Sequence, residues 1–250
     1  MSVADKWYFK KGELARADWD IHVDPQNPPV NGWRYTGLRV GTLASGKSLE
    51  LPADSNERII FLLQGEEILV AYSDGNEIKK QLLKGRISVF HGPSDFIFLP
   101  INTSATITGA GRVAVGEAQA SSAKPVRYVA KADVSVTLRG AGRETRQVHN
   151  LGMPDTLDAD RLIVCEVIVP AGNWSGAPSH KHDQYVAGKE SNLEEIYYFE
   201  SAVTRGISTP AQTSPFGYFR GNSADAFFFN DTATTEIYTG EDTLSLHDAL

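Results

Sequence analysis

The sequence predicts an all-β protein of sandwich or barrel type, built as two similar units joined by a linker. Three observations carry this. Short runs rich in Ile, Val, Leu, Phe and Tyr recur along the chain, Gly, Pro, Asn and Asp stand between them, and no 3.6-residue period is sustained.

In order, strands are expected near Ile59–Leu63, Ile68–Tyr72, Ile78–Leu83, Ile87–Phe90, Phe96–Leu99, Ala105–Ile107 and Arg112–Glu117. The turns between them are Gln64-Gly65, Ser73-Asp74-Gly75-Asn76, Lys84-Gly85, Gly92-Pro93 and Gly109-Ala110-Gly111, whose residue types favour reversals. The small-residue stretch from Ala118 to Pro125 reads as the connection. Strands resume at Val134–Leu138, Arg146–His149, Arg161–Val169 and Leu193–Phe199. The expected division is 1–140, 141–226 and a tail at 227–250. The repeat is too long and too degenerate for a solenoid.

With 250 residues, 41% of them hydrophobic, the chain can build a substantial core. A net charge of −7 and scattered basic residues argue against nucleic acid or an anionic membrane as the main partner. The single cysteine, Cys165, rules out an intramolecular disulfide; its apolar strand predicts a buried, inert thiol. Residues Met1 to Trp7 lack the apolar core of a secretion signal, and no run reaches transmembrane length, so the expected location is the cytoplasm.

From about Phe227 the composition loses structural logic. The segments 230–239 and 243–250 resemble the two fixed blocks of a translated sequencing adapter, with Gly240-Glu241-Asp242 at the variable index. The tail is therefore expected to pack poorly, and His247 to be no ligand.

The chemistry concentrates in Pro170-Ala171-Gly172-Asn173-Trp174-Ser175, then His180-Lys181-His182-Asp183, then Leu193-Glu194-Glu195-Ile196-Tyr197-Tyr198-Phe199. In an extended segment alternate side chains share a face, so His180 and His182 point the same way. Two imidazoles and a carboxylate from a neighbouring strand suit a divalent transition metal: Zn, Mn or Fe. Glu195, directly ahead of the apolar strand, is preferred to Glu194 as the third ligand; Tyr197 and Phe199 share its face.

These segments resemble the first cupin motif, and their wording is similar to the 5-deoxy-glucuronate isomerase family of inositol catabolism. Ser88-Val89-Phe90-His91-Gly92-Pro93, Phe98-Leu99-Pro100 and Phe216-Gly217-Tyr218-Phe219-Arg220 carry the same likeness. The resemblance implies a bicupin, two double-stranded β-helix (jelly-roll) barrels, the second incomplete, and metal ligands His180, His182 and Glu195. A fourth ligand, a histidine of the second cupin motif, is expected beyond Arg220 and is missing from this chain, as in a truncated member. In the first unit Pro52-Ala53-Asp54 stands where the two histidines would, so that barrel is expected to be structural and to offer a surface for a homo-oligomer.

The same resemblance implies isomerisation of 5-deoxy-D-glucuronate to 5-dehydro-2-deoxy-D-gluconate, with a metal polarising carbonyl and hydroxyl oxygens. Glu195, Tyr197 or a residue outside the chain is the candidate base. A metal-dependent cupin dioxygenase and a non-catalytic sugar-binding cupin remain as rival readings, and an inactive truncated chain as a further outcome. Trp174 either lines a sugar pocket or plugs the barrel. Tyr197 either moves a proton or packs the core. Asp183 either orients His182 or opens a loop. Lys181 points away from the ligands. His22 and His149 are expected in structural or surface roles; Arg143 and Arg146 either bind a substrate carboxylate or lie on the surface, the surface placement being favoured.

Overall fold

In the computed structural model, residues 8–176, 182, 184–202, 216–219, 227–230 and 236–240 are described, and their regular elements are strands apart from one 3-10 turn, Gly142–Glu144. The first strands are β1 (Tyr8–Phe9), β2 (Ile21–Val23), β3 (Thr36–Leu43), β4 (Ser48–Leu51), β5 (Asn56–Ser73), β6 (Ile78–Arg86), β7 (Phe96–Leu99), β8 (Ser104–Gly109), β9 (Gly111–Gln119) and β10 (Arg127–Val129). They are followed by β11 (Ser135–Arg139), β12 (Arg146–Gly152), β13 (Val164–Ile168), β14 (Glu195–Phe199), β15 (Phe216–Phe219), β16 (Phe227–Asn230) and β17 (Glu236–Gly240).

The 18-residue β5 organises a nine-stranded N-terminal sheet. Its first arm pairs with β7 and β9, its second with β6 and β8, all antiparallel. The reversal expected at Gln64-Gly65 is instead a bulge inside one strand. The register against β9 shifts between Leu62 and Gln64, and Gly65 takes φ +135°, where a Cβ would sit 2.7 Å from the Ala110 carbonyl oxygen. A glycine there bends the strand without turning it back.

The central strands bury both faces, which explains their unbroken apolar runs. Ile60, Leu62, Ile97, Leu99, Val113 and Val115 fill one core with Leu49, Ile68 and Leu83. Ile59, Phe61, Leu63, Phe96, Phe98 and Ala114 fill a second, closed from the C-terminal side by Leu151, Leu157 and Leu162. The second core lies between the N-terminal sheet and the rest of the molecule.

On the C-terminal side, β11, β12 and β13 form an antiparallel sheet, and β14 pairs with β17, which also pairs with β1. Strand β11 lies ahead of the expected 140/141 boundary, yet it pairs with β12. One further expectation is corrected. Residues 87–90 form a turn rather than a strand: the Ser88 hydroxyl accepts the Phe90 N–H at 3.3 Å and contacts His91 Nδ1 at 2.8 Å, diverting the backbone from a ladder. Within the expected tail, β16 pairs with β15, and β17 pairs with β1 and β14. The open edges of β1 and β14 offer unpaired N–H and C=O groups, and Ile237-Tyr238-Thr239 is strand-prone. Among the described residues no helix is long and apolar enough to cross a membrane.

Candidate functional site

The site is built on β14. Alternation along this strand sends Ile196 and Tyr198 into the core shared with the N-terminal sheet, so Glu195, Tyr197 and Phe199 take the far face. Tyr197 is buried, and its hydroxyl donates to Glu195 Oε2 at 3.3 Å. Its ring lies 6.1 Å from that of Phe199 and 5.3 Å from that of Phe219. The ring of Tyr197 thus packs while its hydroxyl engages a carboxylate.

Glu194, one residue earlier, is committed elsewhere. Its carboxylate accepts the backbone N–H groups of Arg34, Tyr35 and Thr36 at 2.9, 2.6 and 3.1 Å. Those bonds tie β14 to the entrance of β3.

His182 is held next to β14, because its carbonyl accepts the Leu193 N–H at 2.9 Å. Its Nδ1 lies 3.2 Å from the Ser191 carbonyl oxygen. A carbonyl only accepts, so Nδ1 is the donor in this contact. His180, Lys181 and Asp183 lie outside the described residues, as does His247. Among the described residues no group of three or more His, Cys, Asp or Glu side chains is assembled.

The β11–β12–β13 sheet also has a far face, carrying Arg139, Arg146, Asn150 and Cys165: Arg139 is directly opposite Arg146, and Asn150 opposite Cys165. The surface expectation for Arg146 is corrected. It is 2% exposed, with Nη1 donating to the Glu144 carbonyl oxygen at 3.1 Å, because its strand is covered on both faces. Burial pushes the Cys165 thiol up to about 12; the Glu195 and Glu166 charges add to this and Arg139 opposes it. Trp174 is 58% exposed, its ring edge-on to Tyr218 at 6.1 Å, so it does not plug a barrel.

On the opposite face of this sheet, Glu166 joins the two sides of the molecule. It forms an ion pair with Arg86, with one contact at 2.7 Å, and meets His149 Nδ1 at 3.1 Å. Burial alone would raise the Glu166 carboxyl, but the hydrogen bonds from Arg86 and His149 hold it below the usual range. His149 is fully buried here. His22 is half-buried, and burial and then Arg39 lower its pKa.

The N-terminal sheet has a charged counterpart to the candidate site. Glu57-Arg58 opens β5 as Glu194-Glu195 opens β14. Arg58 turns into the first core, fully buried, and binds Glu117 Oε1 at 2.7 Å, Asp54 Oδ2 at 2.5 Å and the Thr103 carbonyl at 3.0 Å. Arg39 reaches the other Glu117 oxygen at 2.8 Å.

Sequence reasoning missed the backbone partners of Glu57 and Glu194.

Comparison with known proteins adds relatives. The sequence model of the KduI/IolB family matches residues 7–234, running past the expected 226/227 boundary. The 5-deoxy-glucuronate isomerase of Geobacillus kaustophilus (strain HTA426) is 35% identical over 181 residues, 71% of this chain and 63% of that protein. That of Geobacillus thermodenitrificans (strain NG80-2) is 33% identical over 190 residues, 75% of this chain and 66% of that protein. The chain thus spans just under two-thirds of the length of these curated relatives. Among solved structures, an IolB-like protein from Salmonella typhimurium LT2 superposes with a TM-score of 0.74 at 28% identity, covering 95% of this chain and 85% of that one.

Proposed function

This chain belongs to the KduI/IolB family, and from that membership we propose that it is an aldose–ketose isomerase, converting 5-deoxy-D-glucuronate to 5-dehydro-2-deoxy-D-gluconate in inositol catabolism. The observation that carries the proposal is the Tyr197–Glu195 contact at 3.3 Å on the far face of β14.

His182, Glu195 and His180 would hold a divalent Zn, Mn or Fe ion. The donor set fits such a metal: nitrogen and carboxylate ligands, with His182 oriented through its Nδ1 by the Ser191 carbonyl. When bound, the ion polarises the carbonyl and neighbouring hydroxyl oxygens of the sugar.

The protein's own residues account for the proton transfer. An aldose becomes a ketose when the carbon bearing the hydroxyl loses its hydrogen and the former aldehyde carbon gains one. The Tyr197 hydroxyl, hydrogen-bonded to Glu195, relays a proton between neighbouring oxygens, and Glu195 itself accepts a proton through a carboxylate oxygen not engaged as a ligand. The aromatic wall of Tyr197, Phe199 and Phe219 keeps water from the exchanging proton.

The test is conversion of 5-deoxy-D-glucuronate in D2O, followed by proton NMR, after loading with each metal in turn. We expect E195Q to lower kcat by about 10²–10⁴-fold and Y197F by about 10-fold or more. H182A should lose bound metal. Unchanged conversion in E195Q and H182A would sink the reading, and oxygen uptake coupled to metal loading would replace it with oxygenase chemistry.

A further inference from the structure

The strand that carries Glu195 and Tyr197 is held on one side only by its own sheet. Among the described residues, β14 has a single ladder partner, β17, and stands at the edge of the order β1-β17-β14. One ladder fixes the register of an edge strand but leaves it room to tilt against whatever packs on its face.

The N-terminal sheet packs there. Ile196 and Tyr198 lie on the second core, and beside them three side chains join the two bodies. Arg112, the second residue of β9, donates from Nη2 to the Tyr198 hydroxyl oxygen and to Glu200 Oε1, the latter at 2.7 Å. Tyr198 donates its hydroxyl to the same Glu200 oxygen at 2.7 Å. A guanidinium has no acceptor, so the hydroxyl proton is directed to the carboxylate and the triangle closes. Arg112 itself stands on firm ground, since its backbone lies opposite Thr42 of β3 on one side and Gln64 of β5 on the other.

Both ends of β14 are thus tied to the N-terminal body. Glu194, ahead of it, holds the N–H groups of residues 34–36, and Tyr198 and Glu200, at its far end, hold Arg112. Between the ties lies the Tyr197–Glu195 contact, which at 3.3 Å is already long for a hydrogen bond. A further shift of about 1 Å would break it, and misplacement on that scale costs catalysis on the order of 10²-fold. The Arg112–Glu200 ion pair, with side chains 30% and 19% exposed, adds little to overall stability by comparison. Its weight falls on geometry.

We propose that Arg112 is a positioning residue for the reaction: from the N-terminal sheet, through Tyr198 and Glu200, it holds β14 where Tyr197 and Glu195 stay in contact. This rests on the isomerase reading and gives the N-terminal sheet, which carries none of the proposed ligands, a part in the chemistry. Arg112 acts through the strand and not on the substrate.

The test uses the full chain. R112M should lower kcat for 5-deoxy-D-glucuronate by about tenfold or more while KM stays within about twofold, because alignment is lost and binding groups are not. R112K, which keeps the charge but not the fork, should recover part of the loss. Hydrogen exchange read by mass spectrometry should quicken in peptides covering residues 193–202 and stay unchanged across β5 and β9. Should R112M fail to fold, E200Q, which keeps the shape and loses the charge, carries the same expectations. Unchanged kcat, or exchange that quickens equally throughout the chain, overturns the positioning role. In a wild type that converts nothing the isomerase reading falls; exchange quickened in β14 alone then still supports the tether, and unaltered exchange overturns it.

Discussion

Glu57 and Glu194 are reciprocal clamps. Glu57, on the N-terminal sheet, accepts the backbone N–H groups of Asp160, Arg161 and Leu162 at 2.9, 2.6 and 2.6 Å. Glu194, on the C-terminal side, accepts those of residues 34–36. Each carboxylate stands at the opening of a strand and reaches across to main chain of the other body. The pair lies one residue ahead of Arg58 and Glu195, so docking and site geometry are set by adjacent positions.

Removing the first clamp should be costly. Glu57 is 1% exposed, and E57A leaves three N–H donors, that of Leu162 buried, without their acceptor, a loss of about 3–5 kcal/mol. E194A should lose less, about 1–2 kcal/mol, because water reaches its more exposed partners. Urea unfolding of both variants measures the order, and equal losses would contradict it.

The Arg58–Glu117 pair should show strong coupling. Both side chains are fully buried, so R58M strands a carboxylate that Arg39 alone must satisfy, costing about 3–5 kcal/mol. The double variant R58M/E117M should be less destabilised than the two single losses added together. A double-mutant cycle in urea reads this directly, and additivity would refute it.

Glu166 should shape the acid limb of stability. Its carboxyl is held below the ordinary value of 4.5, so the folded state binds fewer protons than the unfolded state there. The stabilisation is full above that value and is lost as pH falls through the folded pKa. Wild-type melting temperature should therefore drop more steeply on acidification than that of E166Q. Parallel slopes would count against the assignment.

Cys165 should resist alkylation. With its thiol near 12, about one molecule in 10⁴ is thiolate at about pH 8. Iodoacetamide labelling of the chelator-treated protein should be slow until denaturant is added, with mass spectrometry as the readout. The raised value also means that this group's contribution to stability is present below 9.0, the ordinary value, and lost as pH rises toward about 12.

Much of this was legible in the residues. Ile59–Leu63 and Phe96–Leu99 announce strands buried on both faces, and the alternation of Glu195, Tyr197 and Phe199 against Ile196 and Tyr198 is the one observed. The bend at Gly65 was not, since a glycine between two apolar runs reads equally as a turn or a bulge. Glu57 and Glu194 escaped because their partners are backbone N–H groups more than 100 positions away, which no side-chain pattern marks.

The double-sided burial of β5, β7 and β9 limits how this protein can be taken apart. A fragment ending at residue 140 would keep its inner filling but lay bare Ile59, Phe61, Leu63, Phe96 and Phe98, a broad greasy plate with nothing to lean on. Such a piece should clump rather than stand alone. The two bodies behave as leaves of one laminate, and any recombination that swaps one must carry a matching partner for that plate.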